Sequence, residues 1–285
     1  MRREGALQHV PLPLALPSDL PAVLACAVTS VQRSRLIDAL RGRATLGYCA
    51  TFAELSTVLH HSTDPIDVIV LPACDAAGQD ASRIVREIAV GRPRTATVVW
   101  CDAHHSVEIR ALAVAGAHQF LFAGIDDQGV ALRAVLDLAR RQCGAEWVMT
   151  RLAPVVPSGL HPMLEAVLAR PDAIKTLPDL AAALGVHRKT LFNHCRKAGF
   201  LAPAELVAWA RLAMVAYMLE TTACTIERIA IDLGYASDTA LRNTIKRYTG
   251  QRAGQIRNAG GVDRVIRELD ERARRGVEAT RLRLV

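Results

Sequence analysis

The hydrophobic rhythm of the chain changes near its middle. From residue 21, short unbroken apolar runs alternate with longer amphipathic ones. Runs at 22–28 (AVLACAV), 46–50, 67–71 (DVIVL), 96–101 (ATVVWC) and 119–122 predict five strands. The stretches 31–41, 52–60, 81–90, 106–116 and 129–142 predict the helices that follow each of them. A strand that is apolar throughout needs cover on both faces, which implies a parallel sheet with helices on each side. Five such units within about 120 residues predict a flavodoxin-like doubly wound domain.

Past residue 160 the strand-like runs stop and only helical spacing remains. The stretch 225–257 (TIERIAIDLGYASDTALRNTIKRYTGQRAGQIR) places Ile226, Ile229, Ala230 and Leu233 on one helical stripe. Gly234 then suits a chain reversal, because glycine adopts positive φ without penalty. Ser237 can cap a second helix. That helix keeps Leu241, Ile245 and Tyr248 on one face and leaves Asp238, Thr239, Arg242, Asn243, Lys246 and Arg247 to point elsewhere. Such a division is what a helix-turn-helix requires, with one face for packing and one offering donors to bases and phosphates.

A second copy of the layout lies at 176–197 (TLPDLAAALGVHRKTLFNHCRK). An apolar helix leads to Gly185, then to a helix carrying Arg188, Lys189, Thr190, Asn193 and Arg196. Between the two runs 204–220, a long helical stretch without internal Gly or Pro. On the segments LAAALGVHRKTL, ARLAMVAYML, IAIDLGYAS and IKRYTG, with Arg257 closing the motif, the chain resembles the AraC/XylS family of transcription regulators over 160–260. The resemblance implies an all-α domain with two helix-turn-helix units joined by a long helix. Their recognition helices would enter successive major grooves of double-stranded DNA, about one helical turn apart. Leu241 and Ile245 stand where the family usually has Phe, and Ala253 where it has Pro. Apolar character is kept, so the fold is expected to hold with altered packing. Ala240 and Phe192 bring no strong hydrogen-bonding group to the reading surfaces and offer apolar contact to a thymine methyl.

Charge sharpens this division. The net +7 is not spread evenly: residues 1–160 hold 15 Lys+Arg and 15 Asp+Glu, whereas 161–285 hold 20 and 13. The excess therefore coincides with the helical half, as expected of a duplex-binding module beside a neutral domain. Seven Cys without a C-x-x-C pair, and without His at zinc spacing, point to a reducing compartment and small buried roles rather than a metal site. His187 and His194 are read as a cap and a surface residue. Arg2 and Arg3 precede a Pro-interrupted stretch that does not form a signal peptide, and no run reaches membrane-spanning length. The expectation is a cytoplasmic protein with no membrane contact, cofactor or metal.

The first half resembles a response-regulator receiver through 67–72 (DVIVLP) and 116–121 (GAHQFL). Its chemistry is missing. Acidic residues after the first strand would hold Mg²⁺, and here Ala27 and Val28 stand there. The phosphoacceptor position falls on Pro72 and that of the fifth-strand Lys on Ala123, with Cys101 or Asp102 near the usual Thr/Ser. Asp75 reads as a loop acid. A pseudo-receiver is expected, working without phosphorylation.

The expected division is an extended leader at 1–20, a receiver-like domain at 21–143, a linker at 144–159, a DNA-binding domain at 160–260 and a helical tail at 261–285. In the tail, Val265, Ile266 and Leu269 share one side. The pairs Glu268/Arg272, Asp270/Arg274 and Glu271/Arg275 support a solvated helix. For the DNA-binding half, Arg188 and Lys189 reach bases or phosphates, Asn193 reads adenine, and Arg196 is a phosphate candidate. In the second unit Thr239, Arg242 and Asn243 read bases beside Ala240, while Lys246 and Arg247 grip phosphate. The neutral half would supply homodimerisation, signal sensing or RNA polymerase contact. A rival reading makes it an amidotransferase-like enzyme through Cys101, with His104 and His105 nearby, or a redox sensor through Cys74 and Cys101. Against the enzyme, no Gly follows Cys101 to form a nucleophile elbow.

Overall fold

The computed structural model describes residues 20–62, 65–101, 106–222, 224–258 and 260–282, so the expected leader falls outside the described residues apart from Leu20. The chain separates into two compact units, Met1–Arg140 and Arg141–Val285.

In the first unit β1 (Ala22–Cys26), β2 (Thr45–Cys49), β3 (Val68–Pro72), β4 (Ala96–Cys101) and β5 (Gln119–Phe122) pair in parallel, in the order β2-β1-β3-β4-β5. That is the order of the flavodoxin-like doubly wound fold. Central β1, β3 and β4 are buried almost throughout, as their unbroken apolar sequences require, whereas β2 and β5 form half-buried edges. One face carries Leu24, Ile69, Leu71 and Val99 against α2 (Phe52–His61), α3 (Ser82–Gly91) and α4 (Ser106–Ala115). On the other side, α1 (Ser30–Leu40) is tied to the chain around α5 (Gly129–Leu152) by an Arg35–Asp127 ion pair and by Arg133 Nη1 donating to the Ala39 carbonyl. A Thr29–Gln32 capping box starts α1.

Two expected boundaries move. The stretch 144–159 is helical as far as Leu152, followed by a 3-10 turn at Ser158–Leu160. Its apolar residues Val148, Leu152, Val156 and Leu160 belong to the core of the second unit. Gly144 is a close-packing position rather than a linker signal: a β-carbon there would sit 2.6 Å from the Tyr217 ring. The tail is not a solvated appendage either. Helix α13 (Gly261–Leu282) buries Val262, Val265, Ile266, Leu269 and Ala273, and packs along α9 (Pro203–Thr221). Glu220 of α9 accepts from the Val262 amide at 3.2 Å, and Arg272 bonds Glu205 at 3.1 Å instead of pairing with Glu268. The Asp270/Arg274 and Glu271/Arg275 pairs do form, each at 2.7 Å.

The rest of the second unit is α6 (His161–Ala169), α7 (Leu177–Ala183), α8 (Arg188–Lys197), α10 (Ile226–Asp232), α11 (Asp238–Thr249) and α12 (Ala253–Asn258), arranged around α9. Helix α9 is central because it is apolar on every side, which only a surrounded helix can satisfy. Leu241, Ile245 and Ala253 are all core residues, so the departures from the family's Phe and Pro leave packing positions filled. No helix among the described residues is long and apolar enough to cross a membrane.

Candidate nucleic-acid interface

Each helix pair is built from the same local devices. Thr176 caps α7 in a reciprocal box with Asp179, whose carboxyl is held below the usual range by the Thr176 hydroxyl and by the backbone amides of Thr176 and Lys175. Gly185 turns the chain at φ +63°, and His187 caps α8 by accepting from the Lys189 amide at 3.2 Å. Leu191 and Cys195 lock α8 into the core, where burial pushes the Cys195 thiol up to about 11. That packing turns Arg188, Lys189 and Arg196 to solvent, with Thr190 and Asn193 half-buried; His194 is exposed, and Phe192 is 49% exposed. Arg196 Nη2 donates to Asn193 Oδ1 at 3.3 Å. Reading adenine with both amide groups would require that bond to open.

In the second pair Thr225 caps α10, Gly234 turns at φ +65°, and Ser237 Oγ accepts from the Ala240 amide at 3.0 Å. Leu241, Ile245 and Thr249 anchor α11. Thr239, Arg242, Asn243, Lys246 and Arg247 are exposed and Ala240 is half-buried. Asp238 pairs with Arg242 at 3.3 Å across one turn, and its carboxyl is lowered chiefly by that bond and then by the Thr239 amide. The sequence-predicted residues thus fall into two groups, one on each second helix.

What joins the groups is a residue that helical spacing alone misses. Arg211 of α9 is 8% exposed, donating Nε to the Pro171 carbonyl at 3.0 Å and Nη2 to the Leu233 carbonyl at 2.7 Å. Pro171 precedes α7 and Leu233 ends α10, so one guanidinium ties both helix pairs to the central helix. Its Cζ lies 4.3 Å from the Tyr235 ring centroid. The available signal is a lone Arg inside the apolar run AWARLAMV. Arg257 acts likewise at the other end, donating to the carbonyls of Thr222 and Cys224 and fixing the loop before α10.

The first unit has a different character at the carboxyl edge of its sheet, where doubly wound folds place their ligands. Ala27 takes a left-handed φ of +52°, and Pro72 ends β3. Asp75 accepts from the amides of Ala77 and Gln79 at 3.0 and 2.8 Å, a carboxylate committed to its own loop. Cys101 is fully buried in β4, with Sγ 3.9 Å from the Val99 carbonyl oxygen. Asp102, His104 and His105 lie outside the described residues. The enzyme and redox readings based on Cys101 are not favoured.

A duplicated helix-turn-helix with a basic outer helix in each copy defines the class: the chain is a DNA-binding transcriptional regulator, with the helix-turn-helix pairs in its second unit and a receiver-like sheet in its first. Residues 180–259 match the family model described as a helix-turn-helix domain. No curated protein matches the sequence. Among solved structures, the chain is similar to full-length FixJ from B. japonicum, at 14% identity over 75% of this chain and 97% of that one, TM-score 0.41. A signal receiver domain of an HD domain-containing protein from Pseudomonas fluorescens Pf-5 gives 19% identity over 48% and 98%, TM-score 0.39. An adenylate cyclase from Rhodopirellula baltica gives 13% over 47% and 98%, TM-score 0.40. These scores are too low to carry an argument, and the receiver-like architecture rests on the strand order of this chain.

Proposed function

We propose that the chain reads one bipartite DNA site by placing α8 and α11 in successive major grooves. The observation that carries this reading is the duplication: two capped, glycine-turned helix pairs tied by Arg211 to one buried helix. On α8 Arg188, Lys189 and Thr190 meet base edges or phosphates, Asn193 reads adenine, and Arg196 leaves Asn193 for a phosphate. On α11 Thr239, Arg242 and Asn243 read bases, Ala240 touches a methyl, and Lys246 and Arg247 grip phosphate.

The receiver-like unit supplies homodimerisation or signal sensing in the cytoplasm, with RNA polymerase contact as a further role, and takes no phosphoryl group. Residues standing at the acceptor, metal-holding and lysine positions (Pro72, Ala27, Val28, Ala123) have no side chain that can serve. The chain acts by binding rather than catalysis. Selection of bound duplexes from a random library by the purified full chain tests this. Two half-elements about one helical turn apart are expected, with affinity falling steeply in salt. Binding that depends on salt but prefers no sequence refutes it. A mass increase on treatment with a small phosphoryl donor refutes the phosphorylation-independent part.

A further inference from the structure

We propose that Asp238 sets the base preference of the second recognition helix by holding Arg242 end-on toward a guanine. The inference rests on reading α11 as a recognition helix. Asp238 is the first residue of α11 and Arg242 lies one turn further on. Arg242 donates through Nε to Asp238 Oδ2 at 3.3 Å, and the Thr239 hydroxyl donates to Asp238 Oδ1 at 3.3 Å. One carboxylate therefore organises two of the three base-reading candidates on this helix. Helix α8 has no acidic residue, and its Arg196 is steadied by the neutral amide of Asn193.

The chemistry follows from the donors that remain. An untethered arginine beside a duplex is drawn to phosphates, which carry the dense negative charge and no sequence information. A carboxylate at the start of the helix repels phosphate and occupies Nε. It leaves Nη1 and Nη2 free, and that terminal fork matches the O6 and N7 acceptors of guanine in the major groove. In water the exposed pair adds little. As the duplex displaces solvent, the effective dielectric falls and the pair tightens, so the orientation is enforced when the base is read. Asp238 is a positioning residue whose effect is discrimination gained at the expense of general affinity.

The test uses the full chain, duplex selection and salt-dependent affinity for Asp238→Asn, Asp238→Glu, Arg242→Ala and the Asp238→Asn/Arg242→Ala double variant. Arg242 is exposed and Asp238 half-buried on the helix surface, and unchanged helical circular dichroism checks folding. For Asp238→Asn, preference for one guanine in the second half-element falls about tenfold, within the range of a lost bidentate base contact. Affinity for random duplex rises, and the salt slope steepens by about one as Arg242 turns to phosphate. Asp238→Glu restores much of the preference, because a Glu at this spacing still reaches the arginine. In the Arg242→Ala background, Asp238→Asn changes no base preference. If Asp238→Asn raises affinity equally for every sequence and leaves the guanine preference intact, the proposal is overturned. Absence of any sequence preference in the unaltered chain overturns the underlying reading instead, and is seen before a variant is made.

Discussion

Replacing Arg211 with Met keeps much of the length of the side chain and removes the guanidinium from the centre of the second unit. The structure gives the terms. Two charge-assisted hydrogen bonds are lost, each worth about 1.5–3 kcal/mol. The carbonyls of Pro171 and Leu233 lose these donors, and a buried group left unpaired costs about 1–3 kcal/mol. The contact with Tyr235 adds about 1 kcal/mol. Against these stands relief from desolvating a buried cation, several kcal/mol on its own. Removing one partner of a buried charged set usually leaves a net loss of about 3–5 kcal/mol. For a unit of this size that lowers the melting temperature by about 10 °C. Scanning calorimetry with circular dichroism measures it, alongside binding to a bipartite duplex and to each half-element alone. Because Arg211 holds the two helix pairs in place, the bipartite site should lose more affinity than either half. Arg211→Lys, able to reach one carbonyl, should fall between the two. A Met variant that melts within about 1 °C of the parent and keeps its bipartite affinity refutes the reasoning.

The two turn glycines should respond differently to Ala. Nothing lies within 4 Å of the place a β-carbon on Gly185 would take, so Gly185→Ala should cost only the left-handed backbone penalty of about 1–2 kcal/mol. At Gly234 a β-carbon would lie 2.9 Å from the Asp172 carbonyl oxygen, and Gly234→Ala should cost about twice as much by urea unfolding. Burial pushes the Cys49 thiol from near 9 to about 12 and the Cys195 thiol to about 11. Between the unfolded and folded values the native chain binds more protons, so stability should be full below pH 9 and decline as pH rises through that window. Urea midpoints at about pH 8 and about pH 10.5 measure the decline, and Cys49→Ala should flatten part of it. Thiol reagent at about pH 8 should label the half-buried Cys74 and Cys224 before the five buried cysteines. Thr176→Ala removes the cap of α7 and should cost about 1 kcal/mol of thermal stability without changing which bases are preferred.

The order and type of elements were legible because each β–α unit carries its own period. β4 and β5 fall on their expected residues, and α2 and α3 differ from expectation by about one residue at their ends. Both helix pairs were legible as well, since the cap, turn glycine and apolar stripe are local features. The misreadings share one cause. Gly144 and the Pro-containing stretch after it looked like a linker because composition alone does not reveal that Tyr217 lies against the glycine. The charge pairs of α13 looked like a solvated helix because the sequence does not show that Arg272 faces Glu205 on α9.

By itself the sequence determined two folding units, their fold classes, the concentration of positive charge in the second half, and most of the side chains that α8 and α11 turn outward. Periodicity and capping act over a few residues, so they are written locally. Tertiary structure alone decided where the units divide, that α13 is core, and that Arg211 joins the two helix pairs. Those outcomes depend on which distant carbonyl or ring occupies the space beside a side chain. Packing supplies that neighbour, and no spacing along the chain encodes it.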